Sequence, residues 1–306
     1  MVFASFYPED ADAFDSLKVA LLKLKLSDAA LMFEPESSEA LGRGFRCGFL
    51  GMLHLEIVAE RLKREYGLSL IITPPSVIYR ITDQKGQGST IYSALELSDQ
   101  SKVKEMAEPW VALEVISPPQ YMGAVMKLLE GARAQFKETR YLSEDKVRIA
   151  AEAPLAEVIT NFFDTLKSIS AGFASLNYEL LDFRPGKLVR LDILIAGEMA
   201  EQFSRIIPEE KAYEEGRRLT TRLKELIPRQ LFAVALQAAI GGKIVARETI
   251  PAMRKDVTGY LYGGDYTRKR KLLEKQKKGK KKLKESGRVK IPPSVFQDLL
   301  KRDLSS

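Results

Sequence analysis

The chain has 306 residues, 45% hydrophobic and 29% charged, with a net charge of +7, an ordinary globular composition. At ~150 residues per domain this suggests two domains with room for a small third. No run of eighteen apolar residues is present, MVFASFYPEDADAF lacks the basic and apolar regions of a secretory signal, and the single Cys47 excludes an internal disulfide; a cytoplasmic, reducing location is expected. In chain order, Asp10 and Asp12 precede a helical pattern of Phe14, Leu17, Leu21 and Leu24, with acids where the helix dipole favours them. Ala30 to Glu34 is a strand that Pro35 ends, and GRGFRCGFL is a strand or turn crowded with Gly42, Gly44, Gly48 and Gly51. A helix, MLHLEIVAERLKREY, follows and is closed by Gly67. SLIIT and SVIYRIT are strands separated by Pro74 and Pro75. Over 1–82 the order helix, strand, strand, helix, strand, strand is α+β rather than parallel α/β.

Residues 83–109 are polar and turn-rich at first, then charged, and are expected to link two domains. Residues 110–186 give the clearest unit. WVALEVISP is a strand, and Pro118 and Pro119 open a helix that carries Met122, Val125, Met126 and Leu129. AQFKETRYL and VRIAAEAP pair through Ser143, Glu144 and Asp145; Leu155, Val158, Ile159, Phe162, Leu166 and Ile169 line a second helix, and GFASLNYELLDFRP is the last strand. This β-α-β-β-α-β order is the split βαβ, ferredoxin-like motif, and 1–82 resembles a worn version of it.

Residues 187–306 form a small α+β domain. KLVRLDILIAG is a strand, the charge-laced helix after Pro208 ends at Pro228, and LFAVALQAAIGGKIVARETIP is a hairpin around Gly241 and Gly242. The stretch Arg254 to Lys290 carries fifteen Lys or Arg against four acids, a net of +11, and leaves the rest of the chain at −4. Charge this dense and this local calls for a polyanion. Tyr260 and Tyr262 precede the turn Gly263-Gly264-Asp265, where Asp265 is placed to cap a basic helix over 265–285. The only large apolar residues of that helix are Leu272, Leu273 and Leu283, too few to seat it in a core. A solvated tail or a localisation signal is the bland alternative. The anionic inner face of a membrane, with peripheral association there, is a lesser one. IPPSVFQDLLKR closes the chain as a short helix whose Ile291, Val295, Phe296, Leu299 and Leu300 are placed to fold back and anchor the tail.

A catalytic constellation is not found. GxxxxGK[ST] is absent, and the glycines at 42, 44, 48 and 51 do not follow the strand-then-helix order of a dinucleotide fingerprint; close backbone approach in a small sheet explains them better. His54 and Cys47 are the sole histidine and thiol, too few for a zinc site, and a structural His54 outweighs a nucleophile pair. No metal site is expected.

EPESSEALGRGFRCGFLGMLHLEIVAERLKREY resembles the third domain of translational GTPases related to elongation factor G, and FFDTLKSISAGFASLNYELLDFR resembles their fifth. LKELIPRQLFAVALQAAIGGKIVARETI, with MRKDV and YGGDYTRKRKLLEKQKKGKKKLKESGRVKIP, is similar to the C-terminal domain of the elongation factor 4 (LepA) family. The resemblance runs from residue 1 to about 297. It implies two ferredoxin-like domains followed by the small α+β domain with its basic helical tail. It implies a bacterial translation factor that acts as a monomer at the large-subunit factor site of the ribosome, touching ribosomal RNA and tRNA, in a family associated with back-translocation and fidelity under stress. The family's GTP-binding and β-barrel domains, which carry its P-loop, switch segments and catalytic histidine, have no counterpart here. GTP and Mg are therefore implied for a full-length member, none as a cofactor of these residues, which would neither bind nor hydrolyse GTP alone.

The RNA-binding residues that follow are Arg254, Lys255, Tyr262, Gly263, Gly264, Asp265, Arg268, Lys269, Arg270, Lys271, Lys275, Lys277, Lys278, Lys280, Lys281 and Lys282. The cations would meet phosphates, the tyrosines pack under the turn or stack on a base, and the glycines admit a close backbone. The sequence departs from the family at three places. Pro208-Glu209-Glu210-Lys211 stands where a His-Arg-Asp-Lys-like run is common, Gly259-Tyr260-Leu261 where an Ala-Lys-Cys-like run is usual, and Gly131-Ala132-Arg133 where an Arg-Arg-Gly-like turn occurs. An autonomous binder or chaperone of structured RNA, independent of the ribosome, is the competing reading.

Overall fold

The computed structural model describes residues 2–38, 41–97, 100–253 and 266–286, together with 289, 291, 292, 295, 298 and 299. Three sheets, each with its own apolar core, follow one another along the chain.

The first unit runs β1 (Val2–Pro8), α1 (Phe14–Ser27), β2 (Met32–Ser38), β3 (Gly42–Phe49), α2 (Met52–Tyr66) and β4 (Leu70–Ile72). Its sheet order is β2-β3-β1-β4, antiparallel throughout, so this is a complete ferredoxin-like unit. The sequence reading lacks its central strand. VFASFYP has no polar alternation to mark it, because its residues are buried on both sides of the sheet, with Phe6 and Tyr7 fully so. Pro35 does not end β2 but lies within it, paired with Phe45; β2 is an edge strand, where a missing N–H costs no ladder bond. Leu17, Leu21 and Leu24 of α1 and Leu55, Val58 and Leu62 of α2 cover one face, at ~1.5–3 kcal/mol for each large side chain buried. α2 ends at Gly67, whose left-handed φ of 65° lets its N–H reach the carbonyls of Leu62 and Lys63.

The second unit is built on β5 (Tyr79–Asp83), β6 (Gly88–Ile91), β7 (Val103–Ser117), α3 (Met122–Gly131), β8 (Gln135–Ser143), β9 (Lys146–Pro154), α4 (Leu155–Glu157), α5 (Phe163–Ile169) and β10 (Ser175–Gly186). The expected order β-α-β-β-α-β is present, but the stretch 83–109 is not a free linker. Its β6 pairs with β5, β5 pairs with the first part of β7, and β7 begins at Val103 rather than Trp110. β5 and β9 thus lie end to end along one side of β7, with β10 along the other. Between α4 and α5 a wide π turn, Val158–Phe162, interrupts what the periodicity gives as one helix.

The third unit comprises β11 (Leu188–Ile195), β12 (Glu198–Met199), β13 (Arg205–Pro208), α6 (Ala212–Leu226), β14 (Val234–Ile240) and β15 (Lys243–Ile250), then α7 (Tyr266–Ser286). The hairpin turn at Gly241 and Gly242 has φ of 54° and 83°, as a tight turn between β14 and β15 requires. The short strands β12 and β13, absent from the sequence reading, both pair with β11. α6 lies close on this sheet at Gly216, where a Cβ would meet that of Ala238 at 3.0 Å.

Candidate nucleic-acid interface

α7 takes its form from residues that favour helix. Lys, Arg, Leu and Gln dominate, and β-branched residues are confined to Thr267. Its 21 residues span about 30 Å at the usual rise. Tyr266, Arg268, Arg270, Lys271 and Lys275 are exposed, whereas Lys269, Leu272 and Gln276 are half-buried. The half-buried residues recur at the three- and four-residue spacing of a single helix face. Arg268, Lys271 and Lys275 recur likewise on the neighbouring face, and the same spacing continues along the sequence to Lys278 and Lys282. Arg270 pairs with Glu274 at 3.3 Å, both well exposed, so the contact holds the guanidinium only loosely.

Of the residues expected to bind RNA, α7 brings Arg268, Lys269, Arg270, Lys271 and Lys275 onto one surface helix. Lys277, Lys278, Lys280, Lys281 and Lys282 lie on its continuing backbone. Arg254, Lys255, Tyr260, Tyr262, Gly263, Gly264 and Asp265 lie outside the described residues. The chain returns after α7 to the third core, where Val295 and Leu299 are buried beside partly buried Val289 and Ile291. The fold-back of Ile291, Val295 and Leu299 is as the sequence suggests, while Phe296 and Leu300 lie outside the described residues.

Several charges elsewhere are paired within the protein. On the second sheet Arg148 pairs with Glu114 and Glu138 at 2.8 and 2.9 Å, and Glu152 takes Arg184 and Lys137 at 2.7 and 3.0 Å. A cavity of about 200 Å³ opens where the second and third units meet, beside Tyr79, Arg133, Glu157, Arg205 and Lys211. Here the functional cations are again spoken for. Arg133 is forked onto Glu108 at 2.8 and 3.0 Å and reaches Glu157 at 2.9 Å, and Lys211 joins Glu157 at 2.9 Å and the Gly131 carbonyl at 2.7 Å. Sequence reasoning missed this network; its visible signal is that Arg133 and Lys211 both fall in runs that depart from the family, and Arg133 sits at the turn after α3 with a left-handed φ of 55° that glycine normally takes.

The residues weighed for catalysis have structural duties. His54 accepts the Leu50 N–H at Nδ1 (3.1 Å), which leaves Nε2 to donate to Asp28 at 2.7 Å. Cys47 is fully buried, and burial pushes its thiol pKa far up, away from a reactive thiolate. Among the described residues no group of three metal-ligating side chains occurs, and no helix is long and apolar enough to cross a membrane.

Comparison with known proteins bears on the same segments. The family model of the GTP-binding protein LepA C-terminus matches residues 195–301, and that of the elongation factor G C-terminus matches residues 105–194. Elongation factor 4 from Picosynechococcus sp. is 51% identical over 303 residues, 99% of this chain and 50% of that protein. The chain belongs to the elongation factor 4 family. Elongation factor 4 proteins from Clostridium perfringens and Acaryochloris marina are 50% and 51% identical, covering 99% and 98% of this chain and again 50% of theirs. The chain thus spans about half the length of the curated relatives it matches. A crystal structure of a Thermus thermophilus protein aligns at 19% identity over 60% of this chain and 40% of that one, with a TM-score of 0.42. The LepA match takes in β12 to β15, α6 and α7, so the exposed cationic helix belongs to the segment named after LepA.

Proposed function

We propose that this chain is a ribosome- and tRNA-binding portion of a translation factor, gripping nucleic acid through α7. The observation that carries the reading is the exposure of Arg268, Arg270, Lys271 and Lys275 on a helix within a stretch of net +11, set on a body of net −4. A body of that sign repels phosphates and leaves the helix as the place where they can be neutralised. Family membership supplies the partner class: translation factors meet RNA on the ribosome. On this reading nucleotide hydrolysis belongs to the part of the relatives that this chain does not cover.

Counterion release sets the form of the interaction. If about six phosphates are neutralised, log K falls with log salt at a slope of roughly −5, using the duplex DNA coefficient. Sedimentation of the purified chain with ribosomes through sucrose tests the proposal. Pelleting at low salt that declines with added salt, and that added tRNA competes away, is the expected result. A chain that stays in the supernatant at low salt is not a ribosome binder, and equal affinity for ribosomes and an unrelated duplex RNA would instead favour an autonomous RNA chaperone.

A further inference from the structure

We infer that Val295 and Leu299 are positioning residues for the basic arm, pinning its far end to the third core so that the arm is a closed excursion rather than a tail. The inference rests on the arm being the nucleic-acid contact. Along the described part of α7 few apolar groups are seated. Leu272 is half-buried and Leu273 is 51% exposed, and the many lysines repel one another. Apolar groups that can hold it in place are found beyond its ends.

Both ends stand on one core. On the near side β15 closes at Ile250, which is buried in the third core, and Met253 donates its N–H to the Gln230 carbonyl at 2.7 Å. On the far side Val289 and Ile291 pack against the same core, and Val295 and Leu299 enter it at 1% and 5% exposure. The Val295 N–H donates to the Pro292 carbonyl at 3.0 Å, a turn that leads the chain into this seat. Seating these apolar groups is favourable whether or not an anion is present, so the arm's direction is set before binding. A ligand that meets a pre-placed helix does not have to supply the ordering of a free chain end. Val295 and Leu299 touch no phosphate in this scheme. They act by holding Arg268, Lys271 and Lys275 where a phosphate row can meet them.

Two uncharged substitutions in the full chain, Leu299→Ala and Val295→Asn, separate positioning from contact. Each is read by the anisotropy of labelled tRNA between about 50 and 200 mM salt, and by the rate of trypsin cleavage within 266–286 without RNA. Both variants are expected to bind roughly tenfold more weakly at every salt, because the ligand must then supply the ordering that the seated end provides in the parent. The salt slope should stay that of the parent, since the same cations meet the same phosphates, and trypsin should cut roughly tenfold faster. Parental affinity and parental cleavage in both variants would overturn the inference, as would a changed slope. Should Val295→Asn unfold the third unit by circular dichroism, Leu299→Ala alone decides. If the parent chain fails to bind tRNA at all, the functional reading falls, and the trypsin rates decide the clasp by themselves.

Discussion

Glu215 on α6 shows how a single side chain ties fold to charge. It is mostly buried, which by itself raises a carboxyl pKa, yet Arg218 and Arg205, each at 2.8 Å, overcome that cost and hold the group below its ordinary range. A pKa lowered on folding gives stability that is present above the unfolded value, about 4.3, and lost as pH falls through the folded one. Glu215→Gln should therefore cost about 1–3 kcal/mol at neutral pH, since two guanidiniums lose their counter-charge, and progressively less below about pH 4. Urea melts at both pH values measure it; an equal deficit at both would mean the ion pairs contribute nothing. Gly44 carries a different constraint. A Cβ there would lie 2.5 Å from the Tyr7 ring and 2.6 Å from the Phe6 carbonyl, both residues fully buried on the neighbouring strand β1. The sequence reading ascribes close backbone approach to a cluster of glycines; Gly44 is the member whose packing demands it.

At the scale of elements, legibility followed how far an element's pattern was its own. α1, α2 and α6 show their faces in the sequence, because each has one apolar side and one wet side. The first half of β7 does not. Lys104, Glu105 and Glu108 break the apolar run, and Glu108 is buried only because Arg133, twenty-five residues on, arrives to neutralise it. No local rule anticipates such a partner. The basic helix was legible from charge alone, with an observed span of Tyr266–Ser286 against an expected 265–285, whereas which of its faces is half-covered was not. That face now sorts the cations. Replacing Arg268, Lys269 and Arg270 together by Glu should weaken tRNA binding at every salt and flatten the slope from roughly −5 to between about −2 and −3. The exposed Arg270–Glu274 pair that is lost contributes only ~0.3–0.5 kcal/mol to the helix, so a helical content near the parent's is expected alongside. A slope left at the parent's value would move the phosphate contacts off this part of α7.

Taken whole, the molecule is joined as much by polar contacts between units as by its strands. Arg46 bridges Glu34 and Glu96 and stacks on Tyr92, Arg190 donates to the Leu97 carbonyl, and Ser38 donates to Glu201 at 2.9 Å. Leu188 and Ile206 of the third unit are built into the second core, and Ile71 of the first packs on the third. The Glu108–Arg133–Glu157–Lys211 chain completes the second junction, running from a carboxylate 2% exposed to a lysine one-third exposed. Its two ends should differ in energy. Arg133→Met strands the Glu108 carboxylate in the interior and should cost about 3–5 kcal/mol, while Lys211→Met removes a partly solvated partner and should cost about 1 kcal/mol or less. Adding Glu108→Gln to Arg133→Met takes away the stranded charge and should recover part of the loss, whereas the same change in the parent should be destabilising. Thermal and urea melts of the four variants give this cycle directly. Additive losses from Glu108→Gln and Arg133→Met would show that the pair is not coupled, and would shift the weight of this junction toward the apolar seats of Leu188 and Ile206.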